Sequence, residues 1–179
     1  LHTRTRSKAD RLISQGAEWA SSPAEVAERS DLVFAMLGYP HDVEEVYCQE
    51  KGVLAGCRPN SILIDMTTSS PTLAERISGK AFERGCHLLD APVSGGDVGA
   101  QNGTLAIMCG GDQEAFDKAL PLLRVMGDKI ELFGSSGSGQ RVKMANQILI
   151  ASTMVGTVEA LLYAERAKLD PSRVIGLIG

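Results

Sequence analysis

The four cysteines, Cys48, Cys57, Cys86 and Cys109, show no CxxC spacing and no pairing with histidine at metal-ligand spacing, which argues against a zinc site and a disulfide framework. Reduced thiols in an intracellular compartment are the expectation. Charge of one sign is lacking too. The net charge is −4, from 18 basic and 22 acidic residues, and no basic patch or polybasic run marks nucleic acid or a membrane surface as a partner. No apolar stretch reaches the roughly 20 residues that span a bilayer, and the run from Ile148 to Val158 reads as short and interrupted. A signal peptide is not seen, but the chain opens on Leu1 within what reads as a strand end and stops at Gly179 inside a helical pattern. A fragment is therefore expected, so the missing leader carries no weight.

What is present is ordinary for a globular chain: 179 residues, 44% hydrophobic and 22% charged. That is enough for one domain with a sizeable core and the start of another. The segment Leu1 to Lys8 places basic residues directly before a helical pattern with Leu12 and Ile13, ending at Gly16; Ser7 is a candidate cap. If a strand of a nucleotide-binding sheet ends here, its side chains lie near an adenosine ribose. An acidic residue there would suit the 2′-hydroxyl of NAD, whereas Thr3-Arg4-Thr5-Arg6 suits the 2′-phosphate of NADP. A basic surface helix start would look the same.

Ala17–Ala20 reads as a short strand, and Ser22-Pro23-Ala24-Glu25 as a helix opening with Ser at N-cap and Pro at N1. Asp31–Leu37 and Ser61–Asp65 read as fully buried strands of a parallel sheet. The first ends in Gly38-Tyr39-Pro40, before a helix through Val43, Val46 and Tyr47; the second ends in Thr67-Thr68-Ser69-Ser70-Pro71, before a helix from Leu73 to Arg84. Four hydroxyls in a row exceed what capping that helix needs. A third strand, Cys86–Asp90, runs into Pro92-Val93-Ser94-Gly95-Gly96, where glycine backbone N–H groups can converge on an anion such as a carboxylate. A strand at 104–109, a helix from Glu114 to Met126 behind Asp112, and a strand at 129–133 follow. Strand and helix alternate, so the fold class is α/β, with ligand groups at the carboxyl ends of strands.

Gly137 and Gly139 then feed a long helix, expected to be mostly buried and to continue to about Lys168. Lys143, Asn146 and Gln147 stand at i, i+3 and i+4, on one face. An amine with two amides beside it suits an oxygen that becomes negative during a reaction. A lysine near a helix start is as readily a solvated surface residue.

The set Gly38-Tyr39-Pro40, Asp65-Met66-Thr67-Thr68, Asp90-Ala91-Pro92-Val93-Ser94-Gly95-Gly96 and Gly139-Gln140-x-x-Lys143-x-x-Asn146-Gln147 resembles the β-hydroxyacid dehydrogenase family, in order and over essentially the whole chain. The last two segments together are far more specific than any lone glycine motif. The resemblance implies a Rossmann-type, doubly wound, mostly parallel sheet over residues 1–139, without its first strand and glycine-rich loop. Residues 140–179 would then be the interdomain helix and the start of an all-helical domain. It implies hydride transfer between NADP, or NAD, and a small β-hydroxyacid or semialdehyde, most like 3-hydroxyisobutyrate dehydrogenase, with glyoxylate/succinic and tartronate semialdehyde reductases as alternatives. Lys143 would be the catalytic acid/base. Ser94, Gly95, Gly96 and Asn146 would hold a carboxylate-bearing substrate, and Arg4, Thr5, Leu37, Gly38 and Thr68 the cofactor. Gly38 departs from the proline common at that position. No metal is implied. A homodimer or homotetramer in the mitochondrial matrix or cytoplasm is implied for the full-length protein, while the chain as it stands is expected to bind cofactor poorly and be inactive. 6-Phosphogluconate dehydrogenase would carry a histidine where Ala145 stands, and a non-catalytic oligomerising relative would typically have lost Lys143.

Overall fold

The computed structural model describes residues 1–179 throughout. Two compact units, Leu1–Lys143 and Met144–Gly179, are taken each by itself. In the first, a 3₁₀ turn (Arg6–Ala9) leads into α1 (Asp10–Ser14) and α2 (Pro23–Glu28). Then come β1 (Leu32–Ala35), α3 (Pro40–Cys48), α4 (Val53–Gly56), β2 (Ile62–Asp65), α5 (Pro71–Phe82), β3 (His87–Asp90) and β4 (Val93–Ser94). The unit closes with α6 (Gly96–Asn102), β5 (Leu105–Cys109), α7 (Gln113–Met126) and β6 (Gly127–Leu132). Helix α8 (Ser138–Arg166) starts in the first unit and runs through the second, where α9 (Pro171–Ile178) follows.

Strands β1, β2 and β3 are parallel, with Leu32 opposite Ile62 and Ile62 opposite His87. Their carboxyl ends therefore share one edge of the sheet. Strand β4 pairs antiparallel with β5, and β5 parallel with β6. The two three-stranded sheets meet where Asp90 and Gly110 exchange backbone hydrogen bonds of 3.0 and 2.8 Å. One core packs Val33, Leu63 and Leu88 against α3, α4 and α5 through Tyr47, Val53, Leu73 and Ile77. A second packs Ile64, Leu89 and Ile107 against Phe116 and Leu123 of α7. A central strand buried on both faces reads as a near-continuous apolar run, and all four residues of β2 are buried, Ile62, Leu63 and Ile64 followed by Asp65 at the carboxyl end.

Local chemistry sets several boundaries. Ser22 Oγ accepts the Glu25 N–H at 3.1 Å, and Asp112 Oδ1 accepts the Ala115 N–H at 3.0 Å, so α2 and α7 start where the sequence places caps. Other expectations are corrected. Ser7 lies inside the 3₁₀ turn and caps nothing. Ala17–Ala20 forms no strand; it exchanges only isolated backbone bonds with Leu1. Ser70 occupies the N-cap of α5 but its hydroxyl turns to Thr72 Oγ1 at 2.8 Å. Strand β1 is not fully buried, because Phe34 points outward at 38% exposure. The stretch after Gly95, read as loop, winds into α6.

The second unit corrects two further expectations. Helix α8 is not mostly buried: Ile148, Leu149, Met154, Val155 and Tyr163 are all exposed. It is also long and apolar enough, by length and composition alone, to cross a membrane, contrary to the reading of a short, interrupted run. A core helix of a helical domain meets the same criterion, and Glu159, Glu165 and Arg166 polarise its far end. Asp170 Oδ1 accepts the Ser172 N–H at 2.9 Å, which starts α9.

Candidate active site

The carboxyl ends of β1, β2 and β3 deliver three loops to one sheet edge, and the start of α8 is tied to two of those ends. Beside β1 lies a cleft of about 550 Å³, within the range of small-molecule sites. Arg4, Thr5, Leu37 and Gly38 all line it, with Val33 and Ala35 of β1. Four of the five expected cofactor residues thus meet in one place. Arg4 is 3.4 Å from the carboxylate of Asp42, a buried residue whose other oxygen accepts the Tyr39 N–H at 3.0 Å. That carboxylate holds Arg4 over the cleft and partly offsets its charge. Arg6, expected to share the anion-binding role, instead lies over the Trp19 ring at 5.7 Å and does not line the cleft. Lys8 takes its place there. Apolar walls with Arg4, Lys8 and Lys51 among the lining residues, beside the carboxylates Asp42 and Glu45, can take a flat heteroaromatic group carrying phosphate.

The four hydroxyls after β2 divide the work. Thr67 is buried; its Oγ1 accepts the Leu37 N–H at 2.9 Å, and its own N–H donates to Asp65 Oδ1 at 3.0 Å. It therefore ties the end of β2 to the end of β1. Thr68, the fifth expected cofactor residue, is exposed and does not line the cleft. Ser69 donates its N–H to Gln140 Oε1 at 2.8 Å.

After β3, Ser94 ends the antiparallel pairing with Ala106. Gly95 and Gly96 follow with φ of 129° and 63°, values that other residues adopt only under strain. The backbone turns sharply here, and both glycines are exposed.

Lys143 is not a solvated surface residue. It is 7% exposed, and that desolvation lowers its pKa from the ordinary lysine value. An amine so placed gives up its proton more readily than a surface lysine does. Asn146 and Gln147 belong to the second unit and follow Lys143 on the same unbroken helix. Ser94, Gly95, Gly96 and Lys143 are not lining residues of the cleft.

Sequence reading missed the groups that hold this arrangement. Asp90, fully buried, accepts the Gly137 N–H on Oδ1 at 2.7 Å and the Gln140 N–H on Oδ2 at 2.9 Å. Burial pushes its pKa up to about 6 against the lowering effect of those two bonds. Asp65 is also pushed up to about 6 by burial, against its bonds from Thr67 and with help from the Asp90 charge. The available signal was an Asp at the end of each of two buried strands, a residue that must have partners there.

Comparison with known proteins places the chain. Residues 1–134 match the NAD binding domain of 6-phosphogluconate dehydrogenase, and residues 137–179 the NAD-binding domain of NADP-dependent 3-hydroxyisobutyrate dehydrogenase. The chain is 51% identical to a probable mitochondrial 3-hydroxyisobutyrate dehydrogenase-like protein of Arabidopsis thaliana, over 99% of this chain and 53% of that protein. It is 47% identical to an uncharacterized oxidoreductase of Bacillus subtilis, YkwC, over 98% of this chain and 61% of that protein. The structure of Mycobacterium tuberculosis 3-hydroxyisobutyrate dehydrogenase with L-serine superposes with a TM-score of 0.88 at 34% identity, covering 98% of this chain and 59% of that one. The chain thus spans between half and two thirds of the length of the proteins it matches.

Proposed function

The chain belongs to the β-hydroxyacid dehydrogenase family, and on that premise we propose that its full-length protein reduces small semialdehydes and oxidises the matching β-hydroxyacids, most like 3-hydroxyisobutyrate dehydrogenase. The observation that carries this reading is the buried Lys143, with its lowered pKa, at the family's lysine position near the start of α8. The nicotinamide cofactor, when bound, supplies or accepts the hydride. Lys143 donates a proton to the carbonyl oxygen as the aldehyde is reduced, and takes it back from the alcohol in the reverse direction. Asn146 holds the same oxygen or a neighbouring group. The Ser94 hydroxyl and the Gly95 and Gly96 N–H groups hold the substrate carboxylate, an anion that open, glycine-bearing backbone can approach closely.

Arg4 and Thr5 hold the adenosine side of the cofactor, with Lys8 as the second cation, and Leu37, Gly38 and Thr68 line its nicotinamide nucleotide. Arg4 and Lys8 favour NADP over NAD through the 2′-phosphate. Residues 1–139 would serve the cofactor, and residues 140–179 would carry the proton donor into the helical domain. The exposed apolar side chains of α8 suit burial against further helices, in a homodimer or homotetramer, rather than a lipid bilayer. The free thiols of all four cysteines suit an intracellular compartment, mitochondrial matrix or cytoplasm.

Steady-state oxidation of NADPH and NADH by the full-length protein, with methylmalonate, tartronate and succinic semialdehydes and with glyoxylate, tests the reading. Methylmalonate semialdehyde should rank first and NADPH should exceed NADH. A different leading substrate would favour one of the reductases instead, since discrimination among such acids rests on only about 1–3 kcal/mol. No turnover with any of them would refute the enzyme reading and favour a non-catalytic relative.

A further inference from the structure

Gln140 is the one amide in the first unit that is fully buried, at 0% exposure. Desolvating an amide is costly unless its groups are paired, and all of them are. Its Nε2 donates to the Thr67 carbonyl at 2.7 Å, its Oε1 accepts the Ser69 N–H at 2.8 Å, and its backbone N–H donates to Asp90 Oδ2 at 2.9 Å. Both side-chain bonds reach the backbone of the loop that carries Thr68 between them. A leucine would fill the same space without making either bond.

Asp90 completes the tie from the other strand. Its two oxygens take the Gly137 and Gln140 N–H groups separately, which fixes the helix start in both position and rotation. Glycine at 139 lets the backbones close in: a Cβ there would meet the Met108 carbonyl oxygen at 2.2 Å and the Asp90 carbonyl oxygen at 2.6 Å. Thr67 passes the linkage on to the Leu37 N–H beside the cleft. The ends of three parallel strands and the first turn of α8 are therefore one hydrogen-bonded unit, and Lys143 stands three residues beyond Gln140 on that helix.

We propose that Gln140 and Asp90 are positioning residues for the reaction, which together fix the first turn of α8, and Lys143 with it, against the loop after β2. This rests on the acid/base reading of Lys143. The arrangement couples proton donor to cofactor loop through bonds that contribute to geometry rather than to substrate binding, so their loss should appear in kcat and not in affinity.

The test is made in the full-length protein with Gln140→Leu, Gln140→Glu and Asp90→Asn beside Lys143→Ala. For Gln140→Leu the expected result is a kcat lower by about 10- to 100-fold, with KM and the NADPH dissociation constant within about threefold. Gln140→Glu keeps the acceptor for the Ser69 N–H but loses the donor to Thr67, and should fall between Gln140→Leu and the unaltered protein. A readout independent of turnover is the pH dependence of acylation of the Lys143 amine without cofactor. Its midpoint should move toward that of an ordinary lysine in Gln140→Leu and Asp90→Asn. Unchanged kcat and unchanged Lys143 labelling in a folded Gln140→Leu would overturn the proposal, as would a parallel loss of kcat, cofactor affinity and thermal stability. Should Gln140→Leu fail to fold, Gln140→Glu and Asp90→Asn decide by the same criteria. If Lys143→Ala remains active, the acid/base reading fails and this proposal with it; if Lys143→Ala is inactive and Gln140→Leu is not impaired, only the positioning role fails.

Discussion

The two ends of α8 obey the same local rules and live in different surroundings. At its start Asp90 accepts the N–H groups of Gly137, just before the helix, and of Gln140 in the first turn, and Gln140 and Lys143 are buried. From Met144 onward, within the second unit, Ile148 and Leu149 are 69% and 66% exposed. One segment is tied by tertiary bonds to strand ends, whereas the other presents an exposed apolar surface. Precise placement of a reactive group requires the first kind of support, and Lys143, the proposed proton donor, is the last residue that has it.

Four experiments would break or sharpen this contrast. The largest effect is expected at Lys143 itself, where replacement by alanine removes the proposed general acid and should lower turnover by about 10²- to 10⁴-fold. The same change at Lys168, exposed in the second unit, should leave the rate within about twofold. Next comes a pair of identical substitutions in one helix. Gly139→Ala meets the Met108 carbonyl oxygen at 2.2 Å, whereas a Cβ at Gly156 meets nothing within 4 Å. Urea denaturation should show Gly139→Ala destabilising by about 2–4 kcal/mol and Gly156→Ala neutral or stabilising by up to about 1 kcal/mol. Equal effects would remove the distinction between the two ends.

The third concerns pH. Asp65 and Asp90 have folded-state pKa values raised to about 6 from 3.8, so ionising them costs the folded state. The titratable and charged groups acting on the pair are Tyr47, Cys109 and Arg141, besides each other. Their contribution to stability is full below about pH 4 and is lost as pH rises through about 6. Relative to Asp65→Asn, the unaltered chain should therefore lose on the order of 1–2 kcal/mol between pH 5 and pH 7.5. A rise over that window would contradict the burial argument. The smallest effect is expected at the cleft: Arg4→Ala should reduce the preference for NADPH over NADH by about tenfold, near 1.4 kcal/mol. Trp19→Ala, which releases Arg6, should change that preference less.

Much of the first unit was legible because its signals are local. Continuous apolar runs at Ile62–Ile64 and Leu88–Leu89, and the caps Ser22 and Asp112, each state a boundary without reference to distant residues. What failed depended on partners far along the chain. Ala17–Ala20 has strand-like residues but finds only Leu1 to pair with. Ser70 stands at a cap position, yet its hydroxyl chooses Thr72. Phe34 belongs to an apolar run, but β1 buries only alternate residues. At the candidate site, Lys143 and the glycines after Ser94 were singled out by their motifs, and their proposed roles came from the family resemblance. The roles of Asp90 and Gln140 were not, because their partners lie between 47 and 73 residues away. That Arg6 lies over Trp19 rather than along the cleft was not legible, because nothing in its own neighbourhood reveals Trp19 as a partner.

The most direct test of the central claim is Lys143→Ala in the full-length protein, with NADPH binding and semialdehyde turnover measured on the same sample. The account predicts cofactor affinity within about threefold of the unaltered protein and turnover lower by at least about 100-fold. Turnover retained within a few-fold, with binding intact, would show that the buried amine at the start of α8 is not the proton donor.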